Sequence, residues 1–437
     1  MPQISRILAE AIPRSSRQAP SATYLRLLRF RPTRAMWLAM GGTALAITSP
    51  SFAAQNWVQT YLNAGHTSYN SQETTLSTSN VSGLTLLWGQ SVAGGVTAFA
   101  LDAGTIYAQG QGSSSPNLAA INAANGTTLW TITTGNGGEG ISGNTVATGS
   151  GFVFAGCASA SASGAGAVCA YGKSHGRLVW QFSNPCHCLP EARVGAPLVY
   201  SGGVVYFGYT NGGSGANEYI VAAAASTGDV LWTYVTGTSN TLGSAAPVVG
   251  NGMVYFTCGG TGFSGVCAVS QSSGSFVWSA NFGTGTMGLT LGSNNVLYVN
   301  GGSTNQFVAL NATTGATLWT VTGNSSQFPV SVAKGIIYAT GSDRYVHALH
   351  APTGHEIWSL NLASESSVSI ANGVLYDDQE GPNNPATAAY AVSDGSLLWS
   401  SPLPASNLNP PPIVANGILY ITNGSCGSVC AYGLSGG

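Results

Sequence analysis

From residue 84 onward the chain is written in short apolar runs separated by polar, glycine-rich punctuation. One period shows the pattern. Residues 328–332 (FPVSV), 336–340 (IIYAT), 345–351 (YVHALHA) and 356–360 (EIWSL) are apolar and β-prone. Between them stand Lys334-Gly335, residues 342–344, and Pro352-Thr353-Gly354. Runs of this kind bounded by turn residues read as strands. A glycine closing Pro-Thr-Gly supplies the positive φ of a tight turn. No segment after the leader carries the 3.6-residue apolar period of a useful helix.

The same period recurs. Residues 119–130 (AAINAANGTTLW), 222–232 (AAAASTGDVLW) and 309–319 (ALNATTGATLW) are variants of one phrase. The tryptophans that end it are Trp88, Trp130, Trp180, Trp232, Trp278, Trp319, Trp358 and Trp399, spaced by 42, 50, 52, 46, 41, 39 and 41 residues. An apolar–aromatic pair follows each of the eight tryptophans, from Ile106-Tyr107 to Leu419-Tyr420. Four short strands in about 45 residues is the signature of a propeller blade. The pattern therefore predicts an all-β chain, an eight-bladed β-propeller of four-stranded blades. The C-terminus stops in a third strand, so the fourth strand of the last blade must come from residues 84–88 (LTLLW), Leu84 to Trp88, closing the ring. Closure removes exposed sheet edges. The eight tryptophans are read as structural, filling the gap between diverging blades.

Charge changes the picture at the N-terminus. Seven of the twelve Lys and Arg lie before residue 35, followed by an apolar run at 36–47 and small residues at 51–54. That order describes a secretory signal cleaved near Ala53/Ala54, and the run is short for a membrane span of about 20 residues. The expected organisation is a targeting segment at 1–54, an N-terminal lead segment at 55–80 and the propeller at 81–437. Beyond residue 54 stand five basic and thirteen acidic residues, a formal charge of −8. So few cations argue against nucleic acid as a partner. A surface poor in charge also suits an acidic exterior. Localisation is expected to be secreted or periplasmic, and the propeller monomeric.

All eight cysteines follow the leader, as an exported chain with disulfides would have them. Local pairs are Cys157-Cys169, Cys258-Cys267 and Cys426-Cys430, expected to tie second strands to third strands. Cys186-His187-Cys188 reads as a local disulfide or as two bridges to other partners, with a soft-metal site as the alternative. The acidic stretch 377–384 is placed in the loop between the second and third strands of blade seven. Asp377, Asp378 and Glu380 there are a weak calcium candidate. Connections from fourth to first strands share a face with the second-to-third loops. That face carries Glu139, Glu191, Arg193, Asp343, Arg344 and Glu365, a candidate ligand or partner surface. His347 and His350 are three apart on one strand, so they point to opposite faces and make a poor metal pair.

The phrase A-x-[ST]-x-G-x-x-[LIV]-W resembles the pyrroloquinoline-quinone (PQQ) propeller repeat over about residues 55 to 437. The lead segment adds Trp57, Tyr61, His66, Tyr69-Asn70, Glu73-Thr74 and Asn80-Val81, and is similar to the start of secreted PQQ-repeat proteins and quinoprotein alcohol dehydrogenases. The resemblance implies eight blades with tryptophan docking between them. In the catalytic branch it implies PQQ and Ca²⁺ on the axis, adjacent cysteines, a catalytic Asp, and Asn and Glu calcium ligands. Here there is no Cys-Cys, no Trp-x-x-x-x-Tyr-Asp after a repeat Trp, and no CxxCH haem site.

These readings predict an exported, non-catalytic propeller acting as a binding scaffold through its loop face, with a protein or surface ligand as partner and no cofactor. The alternatives are a PQQ- and Ca-dependent quinoprotein dehydrogenase and a periplasmic outer-membrane assembly factor. The assembly lipoproteins share the fold, and no Cys stands directly after the expected cleavage site to carry their anchor.

Overall fold

Turn chemistry sets the strands. Lys334-Gly335 takes φ of 49° and 79°, and Asn251-Gly252 takes 53° and 76°. Positive φ at both central residues is the type I′ pattern that matches the twist of a two-residue hairpin. The predicted period is close to the observed one: Ser331–Ala333, Ile336–Thr340, Tyr345–His350 and Glu356–Asn361. The first strand is shorter than predicted, since Phe328 to Val330 lie outside the ladder.

The computed structural model describes residues 55–110, 117–134, 146–158, 166–182, 193–210, 217–238, 246–260, 263–282, 287–301, 305–323, 325–326, 328–362, 367–378, 387–401, 410–422 and 426–435. Eight four-stranded antiparallel units follow in sequence order around a ring, an eight-bladed β-propeller. Blade eight is assembled from both ends of the chain. Leu84–Gln90 pairs antiparallel with Val429–Leu434, with Leu84 opposite Leu434 and Gln90 opposite Val429. The closing strand is thus two residues longer than predicted. Blade seven gains a short parallel strand, Tyr69–Asn70, against Ser369–Ala371.

The core lies at the seams. Eight buried apolar clusters are found among the described residues, and each joins two neighbouring blades. The second strands supply large buried rings, among them Tyr206, Tyr255, Tyr338 and Tyr420. Burying each such side chain contributes on the order of 1.5–3 kcal/mol.

The repeated phrase acts across these seams. Each repeat indole N–H donates to a carbonyl of the next blade: Trp88 to Ala123, Trp130 to Lys173, Trp180 to Ala225 and Trp232 to Gln271. Trp278 to Ala312, Trp319 to Ala351, Trp358 to Val392 and Trp399 to Leu84 complete the circle. The glycine of the phrase lies against the ring it receives. A Cβ on Gly126 would come within 2.7 Å of the Trp88 ring, and one on Gly354 within 2.7 Å of Trp319. The phrase is a socket followed by a plug.

Disulfides Cys157–Cys169 and Cys258–Cys267 join second and third strands diagonally, with Cα–Cα distances of 5.9 and 5.8 Å. The third departs from expectation. Cys426 sits in a turn just before the third strand of blade eight, so Cys426–Cys430 staples a loop to that strand.

Candidate binding site on the propeller axis

The lead segment was expected at 55–80. Its residues 55–73 make a full circuit inside the ring. Trp57 exchanges backbone hydrogen bonds with Leu101 of blade one, at 2.7 and 2.8 Å. The Val58 carbonyl takes the Thr148 N–H of blade two, and Gln59 Oε1 takes the Tyr200 N–H of blade three. The carbonyls of Ala64, Gly65, Thr67 and Ser68 receive Val249, Leu291, Val332 and Ile370 of blades four to seven. Asn70 Nδ2 then reaches the Val414 carbonyl of blade eight. Each partner lies on a first, innermost strand, toward the end that leads into the first turn. The segment therefore crosses the central axis on the turn side of the first strands.

Glu73 anchors its end. One carboxylate oxygen accepts the Thr75 and Leu76 N–H groups and the other accepts Gly417 N–H. Fully used in this way, Glu73 is structural.

The floor itself is largely polar, with Gln59, His66 and Ser68 buried and the residues between them half-buried. Between Gln59 and Ser68 the chain doubles back through bonds from Leu62 N–H to the Gln59 carbonyl and from Ser68 N–H to the Tyr61 carbonyl. Leu62, His66 and Ser68 adopt positive φ of 75°, 58° and 46°. Such backbone strain in non-glycine residues gathers at functional sites. His66 is 2 % exposed and its ring lies 5.1 Å from that of Tyr61. Burial pushes the His66 imidazole down to about 4, partly offset by its bond to the Leu289 backbone. Burial pushes the Tyr61 phenol up to about 12, partly offset by a bond to Ser367. Ser367 precedes the first strand of blade seven, so Tyr61 rises toward the loop side. Three side-chain atoms on this stretch are buried without a protein partner: Gln59 Nε2, Thr60 Oγ1 and His66 Nδ1.

The residues singled out in the sequence are placed as follows. Asp377 and Asp378 end the second strand of blade seven and are 0 % and 1 % exposed, not displayed on a loop. Their apolar strand carries them inward, and Thr387 donates to Asp378 Oδ1 at 2.6 Å. Asp343 and Arg344 form the turn between the second and third strands of blade six, as expected. Arg193 opens the first strand of blade three. Glu139, Glu191, Glu365, Glu380, Cys186 and Cys188 lie outside the described residues. His347 is buried and His350 exposed, so the two do face apart. The floor residues Gln59, Thr60, Tyr61 and His66 were missed as a site. Their only signal was the aromatic and polar density of a segment that no blade required.

A PQQ-type repeat family, that of the outer membrane protein assembly factor BamB, matches residues 74–262, 216–370 and 342–436. The chain belongs to this family. Solved structures similar to this family member include quinohemoprotein alcohol dehydrogenase ADHIIG from Pseudomonas putida HK5. The TM-score is 0.64 at 14 % identity, covering 88 % of this chain and 81 % of the other. A europium-containing methanol dehydrogenase gives 0.66 at 13 % identity, over 84 % and 89 %. BamB from Moraxella catarrhalis gives 0.59 at 16 %, over 81 % and 98 %. These likenesses are of fold. A curated relative, tetrathionate hydrolase of Acidithiobacillus ferrooxidans, is 24 % identical over 265 residues, 50 % of this chain. The chain spans about half of that relative, 52 % of its length.

The fold relatives raise the question of a quinone with its calcium. Among the described residues no three His, Cys, Asp or Glu side chains gather as metal ligands. The floor offers an amide, a hydroxyl, a phenol and an imidazole. Calcium takes six to eight oxygens, carboxylates among them, so the described floor does not fit it. No helix among the described residues is long and apolar enough to cross a membrane.

Proposed function

We propose that this chain is an exported binding propeller that receives a small, oxygen-rich ligand over its axial floor from the loop side. One observation carries the reading: Gln59 Nε2, Thr60 Oγ1 and His66 Nδ1 are buried without protein partners on one doubled-back stretch. A buried polar group left unpaired costs about 1–3 kcal/mol. The amide and the hydroxyl offer hydrogens, which a ligand rich in oxygen accepts. His66 adds a donor once protonated. Asp343 and Arg344, with Glu139, Glu191, Arg193 and Glu365, are proposed to ring the approach. The basic leader and local disulfides support export.

A second reading is hydrolysis of a sulfur oxyanion in the same place. It is favoured by the similarity to tetrathionate hydrolase and by a surface poor in charge, which suits acid. Neutral donors suit such an anion, and residues 59–68 carry no carboxylate to repel it.

Thermal melting of the protein without residues 1–54 tests both readings. Sulfate and tetrathionate are expected to raise the melting temperature of wild type, and Thr60→Val to shrink the rise. Loss of tetrathionate on incubation supports the hydrolytic reading. A rise with PQQ and calcium, and none with the oxyanions, overturns both in favour of a dehydrogenase.

A further inference from the structure

His347 in blade six stands between two carboxylates. Its Nδ1 lies 2.8 Å from Glu356 Oε2 and its Nε2 lies 3.3 Å from Asp343 Oδ1. The residue is 7 % exposed, while Asp343 and Glu356 side chains are 25 % and 48 % exposed. An ionised carboxylate only accepts hydrogen bonds, and a neutral imidazole has one N–H. Both contacts can therefore be hydrogen bonds only when His347 is the imidazolium. Neutral His347 would turn a lone pair toward one of the two acids.

The groups packed on this imidazole come from four places. Asp343 comes from the turn, Glu356 from the fourth strand, Tyr345 from its own strand at 6.2 Å between ring centres, and Phe307 from blade five at 6.0 Å. The two acids are the charged groups that face it among these neighbours, and Ser359 Oγ donates to Glu356 Oε1 at 2.8 Å. His347 also holds Glu356 below the usual carboxylate range.

Asp343 links this centre to the loop face. The oxygen that faces His347 also accepts Tyr345 N–H at 3.1 Å. It thereby fixes the turn in which Arg344 is held at φ 71°, with bonds from Arg344 N–H to Gly341 and from Gly341 N–H to Tyr345. We propose that Asp343, His347 and Glu356 form a pH-operated latch on the loop face, closed while His347 is protonated and both acids are ionised, and open when His347 is neutral. Closure fixes the Asp343–Arg344 turn, and opening frees it. Loss of the His347 proton removes one of the two donors and opens the latch, and protonation of either acid removes an acceptor and opens it as well.

Hydrogen–deuterium exchange of the purified protein at pH 5.5 and 8, corrected for intrinsic rates, reads the turn directly. Protection at residues 341–346 is expected to fall roughly fivefold at pH 8, the loss of about one hydrogen bond. The Lys334-Gly335 turn of the same blade should stay constant. His347→Gln keeps a donor that does not titrate, so its protection should be the same at both pH values. Asp343→Asn still accepts from Tyr345 and gives a second route to the same answer. Nitrogen-15 spectra should show both His347 ring nitrogens protonated at pH 5.5. A pH-independent turn in wild type, the same pH dependence in both variants, or a singly protonated His347 ring at pH 5.5 overturns the latch.

Discussion

Asn70 donates its side-chain amide to Gln55 Oε1 at 2.8 Å, so the lead segment meets its own beginning after one circuit of the axis. The same amide reaches the Val414 carbonyl, and Gln55 in turn accepts Asn416 N–H. Asn70 is 5 % exposed. Asn70→Ala leaves Gln55 Oε1 and the Val414 carbonyl each short of a donor. Urea unfolding should show a loss of about 2–4 kcal/mol, two buried hydrogen bonds at the usual cost of leaving a partner unsatisfied. A loss under half a kilocalorie would mean that the circuit is not held at its ends.

Trp399 and Leu84 lie 315 residues apart and share the hydrogen bond that joins blade seven to the N-terminal strand of blade eight. Trp399→Phe should cost about 1 kcal/mol from the lost bond. Trp399→Ala should cost about 3–5 kcal/mol, as truncating a large core ring does. Because every seam uses the same plug, Trp232→Ala should cost a similar amount. Chemical denaturation of the three variants compares them.

Two glycines separate backbone strain from close packing. Gly104 has φ 76° and open space around a new Cβ, whereas Gly126 has φ 73° and the Trp88 ring within 2.7 Å. Gly104→Ala should cost about 1–2 kcal/mol, the steric strain of a left-handed residue. Gly126→Ala should cost about 1–3 kcal/mol more, from overpacking. Equal losses would show that the phrase's glycine serves φ alone.

His66 gives the floor a pH signature opposite in sign to that of the latch. Its folded value near 4 lies below the ordinary 6.5, so between those values the unfolded chain binds more protons. Stability should therefore fall as pH drops from 7 to 4, by about 2–3 kcal/mol for this one group. Asn tolerates positive φ, so His66→Asn should remove that slope with little distortion. Urea midpoints of both proteins at pH 7, 5.5 and 4 check it. An unchanged slope would mean that His66 titrates normally.

The blades were legible because each is fixed by local rules. Residues 336–340 were apolar, ended in turn residues and recurred with a fixed partner Trp, and nothing distant altered them. The chain ends were legible for the same reason, since a missing fourth strand must come from somewhere. Asp377 and Asp378 were misplaced because acidic residues read as loop, while the ladder to Ala388 and Thr387 continued through them. Cys426 was placed on a strand because spacing tells which cysteines are near, not where the strand begins. The axial floor was illegible for a deeper reason. Gln59, Thr60 and His66 have no periodic pattern, and the burial of Gln59, His66 and the Thr60 hydroxyl exists only once eight first strands surround them.

A crystal structure of the mature protein soaked in sulfate or tetrathionate tests the central claim most directly. Oxyanion density is expected over the floor, within hydrogen-bond distance of Gln59 Nε2, Thr60 Oγ1 or His66 Nδ1. An axis packed solid by the protein's own side chains, with no bound oxyanion, would contradict it.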